Sequence, residues 1–249
     1  MAGHSQWANI KHRKAAVDSK RSKLWSKLSK AIIVAAKLGG GDPSSNVRLR
    51  TAILDAKAVS LPKDNIDRAI KKGTGEIDGG DVEEILYEGY GPGGVAILCD
   101  IMTDNRNRTA PEVRKLFENH GGNLGSTNCV AYLFERKGLI SIGKSAVDLE
   151  KLMELALENG AEDVTETDEY FELSCPTDVY TALVEALEGA QITLESKQVS
   201  RVPNMTVDVD AQTAVSVMKL LEKLEDHDDV QSVATNVNFT PEQLQAYQG

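Results

Sequence analysis

The chain has 249 residues, 41% of them hydrophobic and 27% charged, with a formal net charge of −10. That length predicts about two domains, and no apolar run approaches the ~18–20 residues of a membrane span. The three cysteines (Cys99, Cys129, Cys175) are too few and too scattered for a disulfide framework, and the four histidines (His4, His12, His120, His227) lack metal-ligand spacing.

The charge is unevenly divided. Residues 1–75 carry 16 Lys and Arg against 5 Asp and Glu, a balance of +11; residues 76–249 carry 12 against 33, a balance of −21. A basic head on an acidic body predicts a polyanion partner, because each Lys or Arg that neutralises a phosphate releases condensed counterions. The N-terminus, Met1-Ala2-Gly3-His4-Ser5-Gln6-Trp7, has no signal-peptide apolar region, which predicts a cytoplasmic protein.

Within the head, residues 1 to about 18 show weak periodicity and read as an arm. Leu24, Leu28, Ala31, Ile32 and Ala35 recur at helical spacing and predict a helix over 19–38, stopped by Gly39-Gly40-Gly41 and the turn Asp42-Pro43-Ser44-Ser45. A second helix is predicted over about 46–59, with Leu49, Ile53 and Ala56 on one face. Pro62 suits the first turn of a third, anchored by Ile66, Ala69 and Ile70 and ended by Gly73. Lys20, Lys23, Lys27 and Lys30 fall on one stripe of the first helix. With Lys11, Arg13, Lys14, Arg21, Arg48, Arg50, Lys71 and Lys72 they are the candidate nucleic-acid contacts, against the plainer reading of a solvated helix face. Lys57 and Arg68 add to the same charge. Trp7 and Trp25 are candidates for stacking on bases; a half-buried core residue is the other reading of Trp25.

After the glycine-rich linker the pattern turns to strands and helices. Strands are predicted over 85–88 and 95–102, paired across Gly89-Tyr90-Gly91-Pro92-Gly93-Gly94, then a helix over about 110–119 and a strand over 130–134. Arg106 and Arg108, in the run Asp104-Asn105-Arg106-Asn107-Arg108-Thr109, form a second candidate contact in a loop before a helix N-terminus, where backbone N–H groups favour phosphate. A local pair of Asp104 with Arg106 is the plainer reading. From Gly138 the order is strand (139–142), helix (148–159), hairpin (163–166 and 170–174), helix (178–187) and strand (192–200), the ferredoxin-like βαββαβ sequence. A strand over 205–209, a helix over 211–224 and a strand over 230–238 are predicted to return and complete the earlier sheet. The fold class is therefore α+β: a basic three-helix domain (1–78), a discontinuous α+β domain (79–135 plus 204–240) and a ferredoxin-like domain (136–203) inserted into it.

Two glycine motifs invite enzymatic readings. Gly138 to Ser145 matches the P-loop expression, but Leu139-Ile140-Ser141-Ile142 is strand composition, unsuited to a loop curled around phosphate. Gly89 to Gly94 matches the dinucleotide fingerprint, but a strand follows it where that mechanism needs a helix. Both read as structural, and no catalytic group, cofactor or metal is expected. The Asp and Glu pairs read as a solvated surface.

Several long runs resemble the YebC/TACO family: 3–16 (Gly-His-Ser-Gln-Trp-Ala-Asn-Ile-Lys-His-Arg-Lys-Ala-Ala), 35–43, 61–75, 87–96, 103–109, 122–125 and Leu224-Glu-Asp-His-Asp-Asp-Val-Gln. The chain departs from the family pattern at Asn128-Cys129, where a Gly-Ser pair is common, at Tyr132, and at Val47, where proline is common. The resemblance implies a three-domain α+β protein without known catalysis. Bacterial members carry the label of DNA-binding transcriptional regulators, and mitochondrial relatives are translational activators. The residues show no base-reading helix-turn-helix, zinc site or dimer-forming heptads. The expectation is thus a monomeric regulator of gene expression that contacts nucleic acid (ribosomal or transfer RNA, or DNA), associates with the ribosome and binds no membrane, with DNA-binding transcriptional regulation as the alternative.

Overall fold

The apolar spacing of the head does produce three helices. In the computed structural model, which describes residues 18–79, 81–167 and 169–248, these are α1 (Asp18–Gly39), α2 (Val47–Ala58) and α3 (Lys63–Gly73). Residues Ile32 to Ala36 are all buried, so this part of α1 is covered on every side; both α2 and α3 pack on it. Gly40 ends α1 in the left-handed region at φ 84°, a conformation that glycine adopts without a Cβ penalty. The buried side chain of Asn46 then ties two helices. Its Oδ1 accepts from the Leu49 N–H at 3.0 Å and caps α2, while its Nδ2 donates to the Ala35 and Gly40 carbonyls at 2.8 Å each.

The next segment is a hairpin, β1 (Glu83–Tyr90) and β2 (Ala96–Thr103), joined through a 3-10 turn at Pro92–Gly94. It is followed by α4 (Arg106–Asn119) and β3 (Asn123–Leu124). Val82 and Met102 belong to the same buried cluster as Ile32, Leu49 and Ile66. The second sheet is the expected ferredoxin-like unit: β4 (Phe134–Gly143), α5 (Leu149–Glu158), β5 (Asp163–Glu166), β6 (Tyr170–Pro176), α6 (Tyr180–Gly189) and β7 (Leu194–Pro203). Its order is β5-β6-β4-β7, antiparallel throughout, around a core that includes Ile140, Ile142, Leu152, Leu173 and Leu183. The remaining elements are β8 (Val207–Asp208), α7 (Ala211–Glu225), β9 (Val230–Thr235), β10 (Val237–Asn238) and α8 (Pro241–Gln248). The fold is α+β, a basic helical region followed by two sheet-bearing regions.

Three expectations need correcting. Of the strand expected over 130–134 only the last residue is one: Ala131–Leu133 form a 3-10 turn and the strand starts at Phe134. The helix expected from Ala110 begins at Arg106, because the Asn105 side chain accepts from the Arg108 N–H at 3.0 Å and caps it there; Pro111, a first-turn residue by preference, lies inside. Of the C-terminal strands, only β9 joins the first sheet, in the order β3-β1-β2-β9; β8 pairs in parallel with β10 as a separate ribbon.

Among the described residues, 18–129 with 211–233 make one compact unit, and 130–210 with 234–248 make another. No helix among them is long and apolar enough to cross a membrane, and no cluster of His, Cys, Asp and Glu is placed to hold a metal ion. The cysteines are unpaired, with Cys99 and Cys175 buried.

Candidate nucleic-acid interface

The lysine stripe of α1 is engaged within the protein. Lys23 Nζ donates to the Asp226 carbonyl at 3.0 Å, Lys27 Nζ to the Glu225 carbonyl at 2.6 Å, and Lys30 Nζ to the Asp228 carbonyl at 3.1 Å and to the Asp229 carboxylate. The last carbonyls of a helix have no partner within it and carry the negative end of its dipole. Three lysines of α1 therefore cap the C-terminus of α7 and the turn behind it. The plainer reading of a solvated face does not hold for these three. Trp25 is held similarly: its Nε1–H donates to the Val59 carbonyl at 3.1 Å, it packs on the buried cluster, and the Arg21 guanidinium lies 6.0 Å from its ring centre. That favours the core reading of Trp25. The side chains of Lys11, Arg13, Lys14 and Lys20, and Trp7 with them, lie outside the described residues.

Asp229 is the centre of this contact and was not singled out from the sequence. It is 2% exposed. Besides Lys30, its carboxylate accepts from Thr109 Oγ1 at 2.6 Å and Arg108 Nη2 at 2.9 Å, with Thr103 Oγ1 at 3.2 Å. Its N–H donates to His227 Nδ1 at 3.1 Å, and its carbonyl accepts from the Met102 N–H at 2.8 Å. Burial by itself would raise its pKa, but the hydrogen bonds from Lys30, Thr109 and Arg108 outweigh it and hold the carboxyl well below its usual range. Four elements meet at one charge: α1, the end of β2, the first turn of α4, and the segment entering β9. The acidic run 224–229, quoted above only for its family likeness, is what the lysines grip.

The remaining predicted contacts divide in two. Arg48 pairs with Glu84 at 2.9 Å, Arg50 donates to the Pro43 carbonyl at 3.2 Å, and Arg108 pairs with Asp104 at 3.1 Å as well as with Asp229. The local pair foreseen for Arg106 thus belongs to Arg108, two residues along and one turn from Asp104. By contrast, Lys57, Lys63, Arg68 and Lys71 are exposed and make no ion pair with a described residue; the same holds for the half-buried Lys72. Arg68, Lys71 and Lys72 share one side of α3, with Lys71 and Lys72 in its last turn, where positive charge is favoured.

Neither glycine motif is a phosphate loop. Gly138 to Gly143 is paired on both edges as β4, and Lys144 bonds Glu166 at 2.6 Å. Gly89 and Tyr90 close β1 and are followed, after the turn, by β2.

The comparisons agree with this architecture. Residues 5–76 match the profile of the TACO1/YebC protein N-terminal domain, and residues 82–237 that of the TACO1/YebC second and third domain. The chain belongs to the TACO1/YebC family. It is 58% identical to a "Probable transcriptional regulatory protein" of Rhodopirellula baltica over 98% of this chain and 99% of that one. A protein of the same description from Natranaerobius thermophilus is 56% identical over 96% and 97%. The crystal structure of a conserved hypothetical protein from Aquifex aeolicus aligns with a TM-score of 0.84 at 50% identity, covering 93% of this chain and 96% of that one. The two curated relatives are named as regulators, not as enzymes.

Proposed function

We propose that this protein is a cytoplasmic, non-enzymatic, nucleic-acid-binding regulator of gene expression whose basic head makes the contact, and that its ligand is ribosomal or transfer RNA in the course of translation. The observation that carries the reading is the set of cations on α2 and α3, Lys57, Lys63, Arg68, Lys71 and Lys72, which meet no carboxylate of the described residues. Such groups neutralise phosphate at little cost, since no existing pair is broken. The same surface is poor for reading duplex bases. Asp64 and Asp67 alternate with Lys63 and Arg68 along the exposed side of α3, and a carboxylate at a groove wall repels the backbone beside it. Contact through charge and shape, as with structured RNA, fits this pattern. Within the proposal, Lys11, Arg13, Lys14, Lys20 and Arg21 extend the contact, and Lys23, Lys27 and Lys30 hold the head in place.

Crosslinking followed by sequencing of all bound nucleic acid in cells tests this reading. Reads on ribosomal or transfer RNA, with co-sedimentation on ribosomes that is lost as salt rises, are the expected result. The names of the relatives favour a second reading, a DNA-binding transcriptional regulator; reads concentrated at a few promoters would establish that one instead.

A further inference from the structure

We propose that Arg106, Arg114 and the hydroxyl of Tyr87 form a discrete binding site for a single phosphate group. Gly89 on β1 lies against the Phe117 ring of α4, so close that a Cβ there would be 2.7 Å from it. Tyr87, two residues earlier on the same strand, shares the face that α4 covers. On α4, Arg106 and Arg114 are eight residues apart, two turns along one side of the helix. Both arginines act electrostatically on the Tyr87 phenol. Both are exposed, and neither forms an ion pair with a described residue.

The hydroxyl supplies the second observation. Tyr87 is 9% exposed, and its buried hydroxyl, whose oxygen Arg106 approaches as a donor, has no acceptor for its proton. A buried hydroxyl left unsatisfied is costly, and most find a partner. Burial pushes the phenol's pKa up, with the Arg106 charge and hydrogen bonding from Arg106 opposing, so the group keeps its proton at neutral pH. Arginine has donors only, so neither guanidinium can accept that proton. The one carboxylate acting on the phenol, Asp229, is already met by Lys30 and Arg108. What is missing is an acceptor with enough charge for two guanidinium groups. A phosphate oxyanion has the oxygens for two arginine forks and one hydroxyl; a lone carboxylate leaves a positive charge unmet. Arg106 also opens α4, where unpaired backbone N–H groups favour the same anion. The ligand class is a phosphate group, either free or in a nucleic-acid backbone.

The test uses the full chain. Side-chain NMR of Arg106 and Arg114 is followed while inorganic phosphate is added, with sodium chloride and acetate at matched ionic strength as controls. Binding of a short single-stranded RNA is measured in parallel. Phosphate is expected to shift both resonances at millimolar concentration, with chloride and acetate doing so much less. Tyr87→Phe, which keeps the ring, is expected to weaken phosphate binding about fivefold, and Arg114→Gln more. Equal shifts with chloride or acetate, or unchanged phosphate binding in Tyr87→Phe, overturn the proposal. Loss of RNA affinity in Tyr87→Phe assigns the site to a backbone phosphate; phosphate binding with RNA affinity unchanged supports a free phosphate ligand. Arg68→Glu with Lys71→Glu separates this site from the head: it is expected to lose RNA affinity and leave the phosphate titration untouched, whereas a native chain that titrates with phosphate but binds no RNA refutes the reading of the head alone.

Discussion

A buried carboxylate with a lysine, an arginine and a threonine around it is stable only as a set. Removing one member leaves the others desolvated, and breaking a buried pair typically costs several kcal/mol. Asp229→Asn is expected to lower stability by about 3 kcal/mol, read from the denaturant midpoint. The pH dependence follows from the sign of its shift. The folded-state pKa lies below the ordinary carboxyl value of 3.8, so the stabilisation is complete well above that value and is lost as pH falls below it. Stability should therefore decline more steeply below about pH 4 in the native chain than in Asp229→Asn, and equal slopes would mean that the carboxylate is not held as described. The Asn128 position shows how a family departure is absorbed. Asn128 has φ 64°, which glycine adopts freely and asparagine tolerates better than most residues, and its N–H donates to Glu88 Oε1 at 2.6 Å.

Among the elements, the helices of the head owe their packing to small residues and their placement to charge. A Cβ on Gly73 would lie 2.4 Å from the Ile33 carbonyl and 2.7 Å from the Ala36 Cβ, so α1 and α3 touch at that point. Gly73→Ala is expected to cost ~2–3 kcal/mol, in the range of core overpacking, with thermal unfolding as the measurement. The lysine stripe makes a different prediction from the cations of α3. Lys23→Gln with Lys27→Gln removes two caps from α7 and should lower stability by about 1 kcal/mol, with little change in the affinity of the folded protein. Arg68→Glu with Lys71→Glu should do the reverse, weakening nucleic-acid binding by about tenfold or more while leaving the melting temperature nearly unchanged. A larger affinity loss from the stripe variant than from the α3 variant would return the stripe to the interface.

For the whole molecule, the separation of +11 and −21 along the chain predicts that the proposed association with nucleic acid depends strongly on salt. If about five phosphates are neutralised, log K against log salt concentration should fall with a slope of about −4, measured by fluorescence anisotropy from low to physiological salt. A slope near zero would point to apolar contact. Duplex DNA should be bound with little sequence preference, well under the ~10³-fold discrimination of base-specific proteins, measured by competition with random DNA.

Much of this was legible in the sequence because it depends on neighbours along the chain. The spacing of Leu24, Leu28 and Ile32, the glycines after α1, the proline before α3 and the strand composition of Leu139 to Ile142 each act within a few residues, and the helices and the βαββαβ order follow from them. The uneven charge needs only counting. What the tertiary structure decided are the pairings between distant residues. Lys30 and Asp229 are 199 positions apart, and nothing in a helical stripe of lysines tells a solvated face from one that caps another helix. The same limit hid the partner of Arg108, the pairing of β8 with β10, and the buried Tyr87 hydroxyl beside Arg106 and Arg114. Periodicity reports which side of an element is apolar; which charge meets which is settled only when the packed elements bring them within hydrogen-bonding distance.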